Sequence, residues 1–368
     1  MTTMTAARLH SSGGPFKVDQ LAIPQPTGSD VLVRVRACGV VPNLKNVLAA
    51  ADFLPELAFP EYPAIYGLDP AGEIAAVGPD VLELSAGQRV YVNPGRSCGS
   101  CLSCRGSRPQ QCRSYGLGGY HGFTPEAQRM FTRYPWGGFA QYMVAPASSV
   151  VVLPEEVSFE EAARFGYLGT AYGALVRGGA DQTTSVLING ATGTLGVGAI
   201  LLALAMGVPK ILAVARNEEL LKAVQALAPH RIKTHSTNDG PCTEWARTQT
   251  DGEGPDVVID GLGPGSPPEA SQEALKSLAR GGRLVMIGGG YEPLAIDPPW
   301  FMVNQISYIG SLWFTTAQGQ EVAQMAKSRT LDLSHLEHIT FSLDQVDQAI
   351  DAAYNRGRGG FVNVVVKP

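Results

Sequence analysis

The sequence predicts an α/β protein in two parts, a β-rich first module and a doubly wound parallel sheet covered by helices on both faces. Three observations predict it. Short β-branched runs broken by Gly, Pro and Asp fill residues 5 to about 155, and strand-like and helix-like stretches alternate after about residue 184. A glycine-rich turn also lies at the first strand-to-helix junction of that alternation, where a phosphate-binding turn belongs.

Length and charge bound what the protein does. The 368 residues suffice for two domains, and a net charge of −5 gives no electrostatic reason to expect nucleic acid or an anionic membrane as partner. The start, MTTMTAARLHSSGG, lacks the apolar core of a signal peptide, and the most apolar helical stretch, VGAILLALAMGV (197–208), is too short to span a bilayer. Six cysteines, four of them clustered, suit a reducing compartment, so the expected location is cytoplasmic.

In chain order, DVLVRVRACGV (30–40) alternates as a half-buried strand should. AGEIAAVG (71–78), QRVYV (88–92), FAQYMVA (139–145) and SVVVLP (149–154) read as further short strands of a barrel-like or sandwich module. The character changes near residue 156: Ser158 with Glu160 and Glu161 marks a helix start running on through TAYGALVRG. TSVLING, KILAVA, DVVIDGLG, RLVMIGGG and ISYIGSL are strands of a parallel sheet. TLGVGAILLALAMG, NEELLKAVQAL and EASQEALKSLARGG are helices between them. A helix, SLDQVDQAIDAAYN, and a strand, FVNVVVKP, close the chain.

Cys98, Cys101, Cys104 and Cys112 form a Cys-x2-Cys-x2-Cys-x7-Cys array in a Gly/Ser/Pro-rich loop. Four thiolates close the tetrahedral shell of one zinc ion and leave no position for water or substrate, so the expected ion is structural. A four-iron cluster also suits three cysteines at two-residue gaps, and four unrelated thiols are the plain alternative. One structural zinc per chain is the reading adopted.

NGATGTLGVGAI (189–200) supplies the candidate dinucleotide site. Gly190, Gly193 and Gly196 suit the tight turn, the approach of pyrophosphate and the helix–strand contact, with Thr192, Thr194 and Leu195 between or beside them. Gly288, in RLVMIGGG, is a further cofactor-binding candidate. At the end of the next strand, where an NAD site places an acid, stands Ala215, followed by Arg216 and Asn217. Loss of the carboxylate and gain of a guanidinium favour a 2′-phosphate, so the expected cofactor is NADPH.

These stretches, with RVRACGV, YGLDPAGEIAAVG, AGQRVYV, GGFAQYMVA and TAYGAL, make the chain resemble the medium-chain dehydrogenase/reductase superfamily over essentially its full length. The resemblance implies a GroES-like catalytic domain with a structural zinc lobe (1–155), a Rossmann domain (156–305), and a last segment (306–368) that finishes the Rossmann sheet and returns to the catalytic domain. It also implies an active site in the cleft between domains. The zinc alcohol dehydrogenases of that superfamily hold a catalytic zinc at positions that here read Val41, Leu68 with Asp69, and Gly166. One carboxylate cannot replace three protein ligands, so no catalytic zinc is expected. Cys38 reads as a buried core thiol. The family's hydroxyl and histidine relay falls on Asn43 and Asn46, and the GLDPAG motif is similar to the quinone oxidoreductase branch.

Without a Lewis acid, hydride transfer suits an acceptor that is already electrophilic. The first expectation is an NADPH-dependent reductase of an activated C=C, C=N or quinone. The second is a metal-independent alcohol dehydrogenase or carbonyl reductase using Asn43, Lys45, Tyr66, Asp69 or Tyr167 for the proton. The third is a nucleotide-binding protein without turnover. The loop 113–136, with Tyr115, Tyr120, His121, Phe123, Phe131, Tyr134 and Trp136, reads as a lid or a second small core. Together with residues 49–63 and Trp300 it suggests a small hydrophobic, even aromatic, substrate. SYIGSLWF (307–314) is the expected edge for a homodimer or homotetramer.

Overall fold

The computed structural model describes residues 2–368 apart from 52, 291, 356 and 358, and builds two large sheets of unlike construction. The first module opens with the antiparallel hairpin of β1 (Thr3–Leu9) and β2 (Phe16–Ala22). β3 (Asp30–Gly39) is its long central strand, followed by α1 (Leu44–Ala50) and the short β4 (Ala64–Ile65), which pairs with β1. β5 (Asp69–Val77) runs antiparallel to β3, with register shifts at Leu32/Val33 and Val35/Ala37. Such irregularities increase local twist and curl a sheet toward a barrel.

β6 (Arg89–Val92) and β7 (Gly95–Arg96) lead into the cysteine loop, which holds α2 (Leu102–Arg105). β8 (Gly116–Leu117), α3 (Gln128–Arg133), β9 (Tyr142–Pro146) and β10 (Val150–Val152) complete the module's first pass. α3 lies inside the segment read from sequence as a long loop.

Ser158 and Glu161 form a capping box, as the helix-start signature predicts, but the helix expected from 158 to 178 is two. α4 (Phe159–Ala162) and α5 (Phe165–Gly178) are separated at Ala163 and Arg164. Six parallel strands follow: β11 (Ser185–Asn189), β12 (Lys210–Ala215), β13 (Ile232–Ser236), β14 (Val257–Asp260), β15 (Arg283–Met286) and β16 (Ser307–Gly310). Their intervening helices are α6 (Thr194–Ala205), α7 (Glu218–Ala226), α8 (Cys242–Thr248), α9 (Pro268–Lys276) and α10 (Pro298–Asn304). The spatial order β13-β12-β11-β14-β15-β16 reverses direction between β11 and β14, the place where such sheets bind dinucleotides.

α11 (Thr316–Lys327) then returns the chain to the first sheet. There β17 (Glu337–Ser342) pairs parallel with β18 (Val362–Lys367), and α12 (Val346–Tyr354) joins them. β18 also pairs antiparallel with β3. This is the architecture the resemblance implies, a GroES-like module split around a Rossmann sheet. The core around the parallel sheet takes in Ala71, Tyr91, Val151 and Leu153 of the first module, most of the rest of that module forms a second core, and Trp313 packs against both. Among the described residues no helix is long and apolar enough to cross a membrane.

Candidate active site and metal centre

The cysteine loop brings its four sulfurs together. All lie within 4.8 Å of one another, with Cys101 and Cys104 at 3.5 Å and Cys98 and Cys104 at 4.0 Å. Four sulfurs about 2.3 Å from one zinc ion stand roughly 3.8 Å apart, so the donor set fits a single ion; a cluster of several irons needs a wider cage. Cys101 is the N-cap of α2, which carries Cys104 back onto the site one turn later. The Ser100 and Cys101 backbone N–H groups lower the Cys98 thiol to about 6, whereas burial pushes Cys112 to about 12.

The region where a catalytic metal would sit is built differently. Val41 and Leu68 are buried apolar residues. Asp69, 1% exposed, accepts a 2.7 Å hydrogen bond from the Tyr91 hydroxyl. Burial pushes its carboxyl up to about 7, against the opposing pull of Tyr91, the Arg164 guanidinium and the Gly166 N–H. A Cβ on Gly166 would lie 2.1 Å from Asp69 Oδ1, so the carboxylate occupies the space of any side chain there. Cys38 is buried beside Asp69, and burial first, then that carboxylate, raises its thiol well above the ordinary value. It is a core thiol, as its sequence context predicts. Among the described residues, the four-cysteine group is the one set of three or more His, Cys, Asp or Glu donors close enough to share an ion.

The five proposed proton-handling residues have unlike surroundings. Lys45 is exposed on α1, ion-paired with Asp351 at 2.7 Å and lying over the Tyr354 ring at 5.3 Å. Its ammonium therefore links α1 to α12. Tyr66 is wholly buried, edge-on to Phe16 at 6.1 Å, and burial with Tyr62 alongside raises its phenol. Asp69 is enclosed and serves as acceptor for Tyr91, which leaves it no open path to a substrate. Asn43 accepts a 2.9 Å hydrogen bond from Asn46 Nδ2, so the two relay positions touch, but through amides that do not pass a proton at neutral pH. Tyr167 is half-buried with the Arg164 guanidinium 5.3 Å from its ring centre.

The candidate dinucleotide turn is tight and closely packed. Gly190 has φ of 81°, and a Cβ on Gly196 would lie 2.2 Å from the Gly190 carbonyl. Gly193 is the N-cap of α6 and places no side chain on the helix's first N–H groups, where Thr194, Leu195 and Gly196 begin the helix. Such an open N-terminus is an anion site. From the other side, the Gly360 N–H donates to the Thr192 carbonyl at 2.8 Å. Buried Arg164 donates to the carbonyls of Thr194, Gly360 and Val362. Sequence reasoning missed Arg164, whose contacts lie 30 to 198 positions away. Gly288 is needed for a close approach, since its Cβ would lie 2.0 Å from the Leu262 carbonyl.

Arg216 stands exposed just past β12, next to buried Ala215. Asn217, by contrast, caps α7 by accepting the Leu220 N–H at 3.0 Å, so its oxygen is engaged in the fold. Glu218, which sequence reading passed over, lies two positions beyond Arg216 and accepts from Ser236 at 3.4 Å and Asn238 at 3.3 Å.

Residues 113–136 form a small packed unit. Phe131 clusters with Ala58 and Ala127, Gly122 bridges to Ala58, and Tyr134 donates to Asp30 at 2.9 Å. Its aromatics fill the module more than they cover a cleft. His121 lies among Phe59, Tyr120 and Phe123, with Nδ1 3.1 Å from the Gly122 carbonyl, and burial lowers its pKa. Trp300 packs edge-on to Phe301 in α10, on the helix-covered side of the parallel sheet.

Comparison with known proteins agrees with this architecture. Residues 27–155 match the family model of the alcohol dehydrogenase GroES-like domain, and residues 194–328 match that of the zinc-binding dehydrogenases. An alcohol dehydrogenase of Geobacillus stearothermophilus is 31% identical over 349 residues, covering 93% of this chain and 96% of that one. An NAD-dependent alcohol dehydrogenase of Sulfurisphaera tokodaii is 29% identical over 365 residues, covering 96% and 97%. The human quinone oxidoreductase is 28% identical over 328 residues, covering 88% and 84%.

Proposed function

The chain belongs to the medium-chain dehydrogenase/reductase superfamily, and from that premise we propose an NADPH-dependent reductase that delivers hydride to an activated C=C, C=N or quinone acceptor without a catalytic metal. The observation that carries the proposal is the contact of Asp69 with Gly166. The carboxylate fills the volume in which a third ligand would stand, while Val41 and Leu68 offer no donor. Three protein ligands are the usual minimum for a catalytic zinc, and this pocket supplies one buried, hydrogen-bonded acid.

The residues around α6 fit a dinucleotide. Gly193, Leu195 and Gly196 would receive the pyrophosphate, and Arg216, beside Ala215, would pair with a 2′-phosphate. Bound there, NADPH supplies the hydride. The chain's own part is to hold the acceptor, exclude water and stabilise charge by fixed dipoles. Lacking a Lewis acid, it favours an acceptor that already carries an electron-withdrawing group.

His121 favours a second reading, a metal-independent alcohol dehydrogenase or carbonyl reductase. With Nδ1–H given to the Gly122 carbonyl, its Nε2 can accept the proton released by an alcohol, and in the reduction direction that nitrogen would first take up the proton it donates. The likeness to the human quinone oxidoreductase supports the acceptor of the first reading, and that to the Sulfurisphaera alcohol dehydrogenase supports the alcohol/carbonyl couple of the second. We further propose one structural zinc on Cys98, Cys101, Cys104 and Cys112, a homodimer joined at β16, and a cytoplasmic location that keeps the thiolates reduced.

The test is NADPH and NADH consumption against a panel of enones, quinones, cyclic imines and saturated aldehydes. Reduction of the activated acceptors with NADPH is expected. Turnover confined to saturated aldehydes and their alcohols would replace the first reading by the second.

A further inference from the structure

Trp313 has a left-handed backbone, φ 55°, and among the described residues it is the one aromatic side chain with positive φ. An L-residue of this bulk crowds its own carbonyl there, so something outside the segment must hold it. The hold comes from the other module. Asn93, 2% exposed and just past β6, accepts the Trp313 indole N–H at 2.9 Å and the Gly95 N–H at 3.0 Å. The same amide donates to the Phe314 carbonyl at 3.3 Å. One side chain thus fixes both the indole and the backbone of a segment 220 positions away.

Behind Trp313 lies a rigid column. Its ring stacks on Phe314 with centroids 5.3 Å apart, and Phe314 stacks on Tyr91 at 6.4 Å. Tyr91 in turn donates to Asp69, in the space where a metal would otherwise sit. Phe314 is seated against Gly169, where a Cβ would come within 2.4 Å of its ring. Trp313 is the half-buried end of this otherwise buried column. It follows the carboxyl end of β16, the edge at which parallel sheets bind their ligands, and it touches the cores of both modules.

We propose that Trp313 is the wall against which the acceptor lies, that Asn93 is the positioning residue holding that wall, and that the acceptor is therefore a flat conjugated molecule. An indole face set by a fixed N–H bond offers a large planar surface with little ordering left to lose on binding. This deepens the reductase reading and rests on it for turnover, though not for binding.

The experiment compares 1,4-naphthoquinone with a straight-chain aliphatic enone in the whole enzyme, with NADPH affinity and melting temperature measured separately. Trp313→Leu should raise the KM for the quinone about five- to tenfold and leave that for the aliphatic enone within about twofold. Asn93→Ala and Trp313→Phe break the same hydrogen bond. Each should shift the quinone KM in the same direction with kcat little changed, and the double variant should be no worse than the poorer single one. Equal losses on both acceptors, or no loss, would overturn the proposal. If the wild type reduces neither acceptor, the reductase reading fails on its own. Binding then decides: quinone quenching of tryptophan fluorescence that vanishes in Trp313→Phe supports the wall, and quenching that persists overturns it.

Discussion

Asp69 is the residue on which the site turns. Its carboxyl stands at about 7 in the fold against an ordinary 3.8, because burial outweighs the donors around it. A value raised by folding means that the protonated form favours the fold. That contribution is complete below the ordinary value and is lost as pH rises through about 7. Asp69→Asn does not titrate, so the wild type's melting temperature relative to the variant should fall by several degrees between about pH 5 and about pH 8. A gap that stays constant, or closes the other way, would show that Asp69 is not the acid titrating there. Arg216 carries the cofactor preference at the same scale. Arg216→Ala should raise the KM for NADPH about tenfold and leave that for NADH within about twofold. If the two move together, Arg216 is a surface residue.

Among elements, the turn before α6 and the cysteine loop each make a claim that a single substitution reaches. Gly196→Ala puts a methyl 2.2 Å from the Gly190 carbonyl, so the helix must move off the strand. The expected cost is about 1–3 kcal/mol of stability with loss of cofactor binding, read by thermal unfolding and NADPH titration. The cysteine loop should hold about one zinc per chain by metal analysis, and Cys112→Ser should release it while NADPH affinity stays within about twofold. Two tightly held zinc ions would contradict the proposal of an active site without a catalytic metal. Two of the strands that sequence missed share a physical cause. β13 (IKTHS) and β17 (EHITFS) are edge strands with polar or exposed positions, so neither shows the apolar run that marks a buried strand. The break between α4 and α5 is equally silent, since Ala163 and Arg164 are ordinary helix formers; Arg164 stands there because its guanidinium reaches the carbonyls of Thr194, Gly360 and Val362.

For the molecule as a whole, β16 leaves one edge of the parallel sheet unpaired within the chain, with Tyr308, Leu312, Met302 and Val303 exposed nearby in sequence and fold. Edges of this kind are covered in stable proteins. Light scattering should therefore report twice the 38.9 kDa of one chain, and Met302→Lys with Val303→Lys should return it toward 38.9 kDa. A wild-type monomer would remove the dimer from the proposal.

The sequence by itself determined the two-module plan, the cysteine set and the dinucleotide turn. Each is written in local spacing: alternation of period two, a Cys-x2-Cys-x2-Cys array, glycines at a strand-to-helix junction. The resemblance to the zinc alcohol dehydrogenases added the expectation that ligand positions are missing at Val41, Leu68 and Gly166. What only the tertiary structure decided is where long-range partners meet. Lys45 and Tyr66 find their partners in Asp351 and Phe16, 306 and 50 positions away. Asp69 became a buried acceptor because Tyr91 folds onto it, and Trp313 gained its fixed pose from Asn93 in the other module. A side chain's chemistry follows its neighbours, and in a split domain closed by residues 337–367 most of those neighbours are remote in the chain.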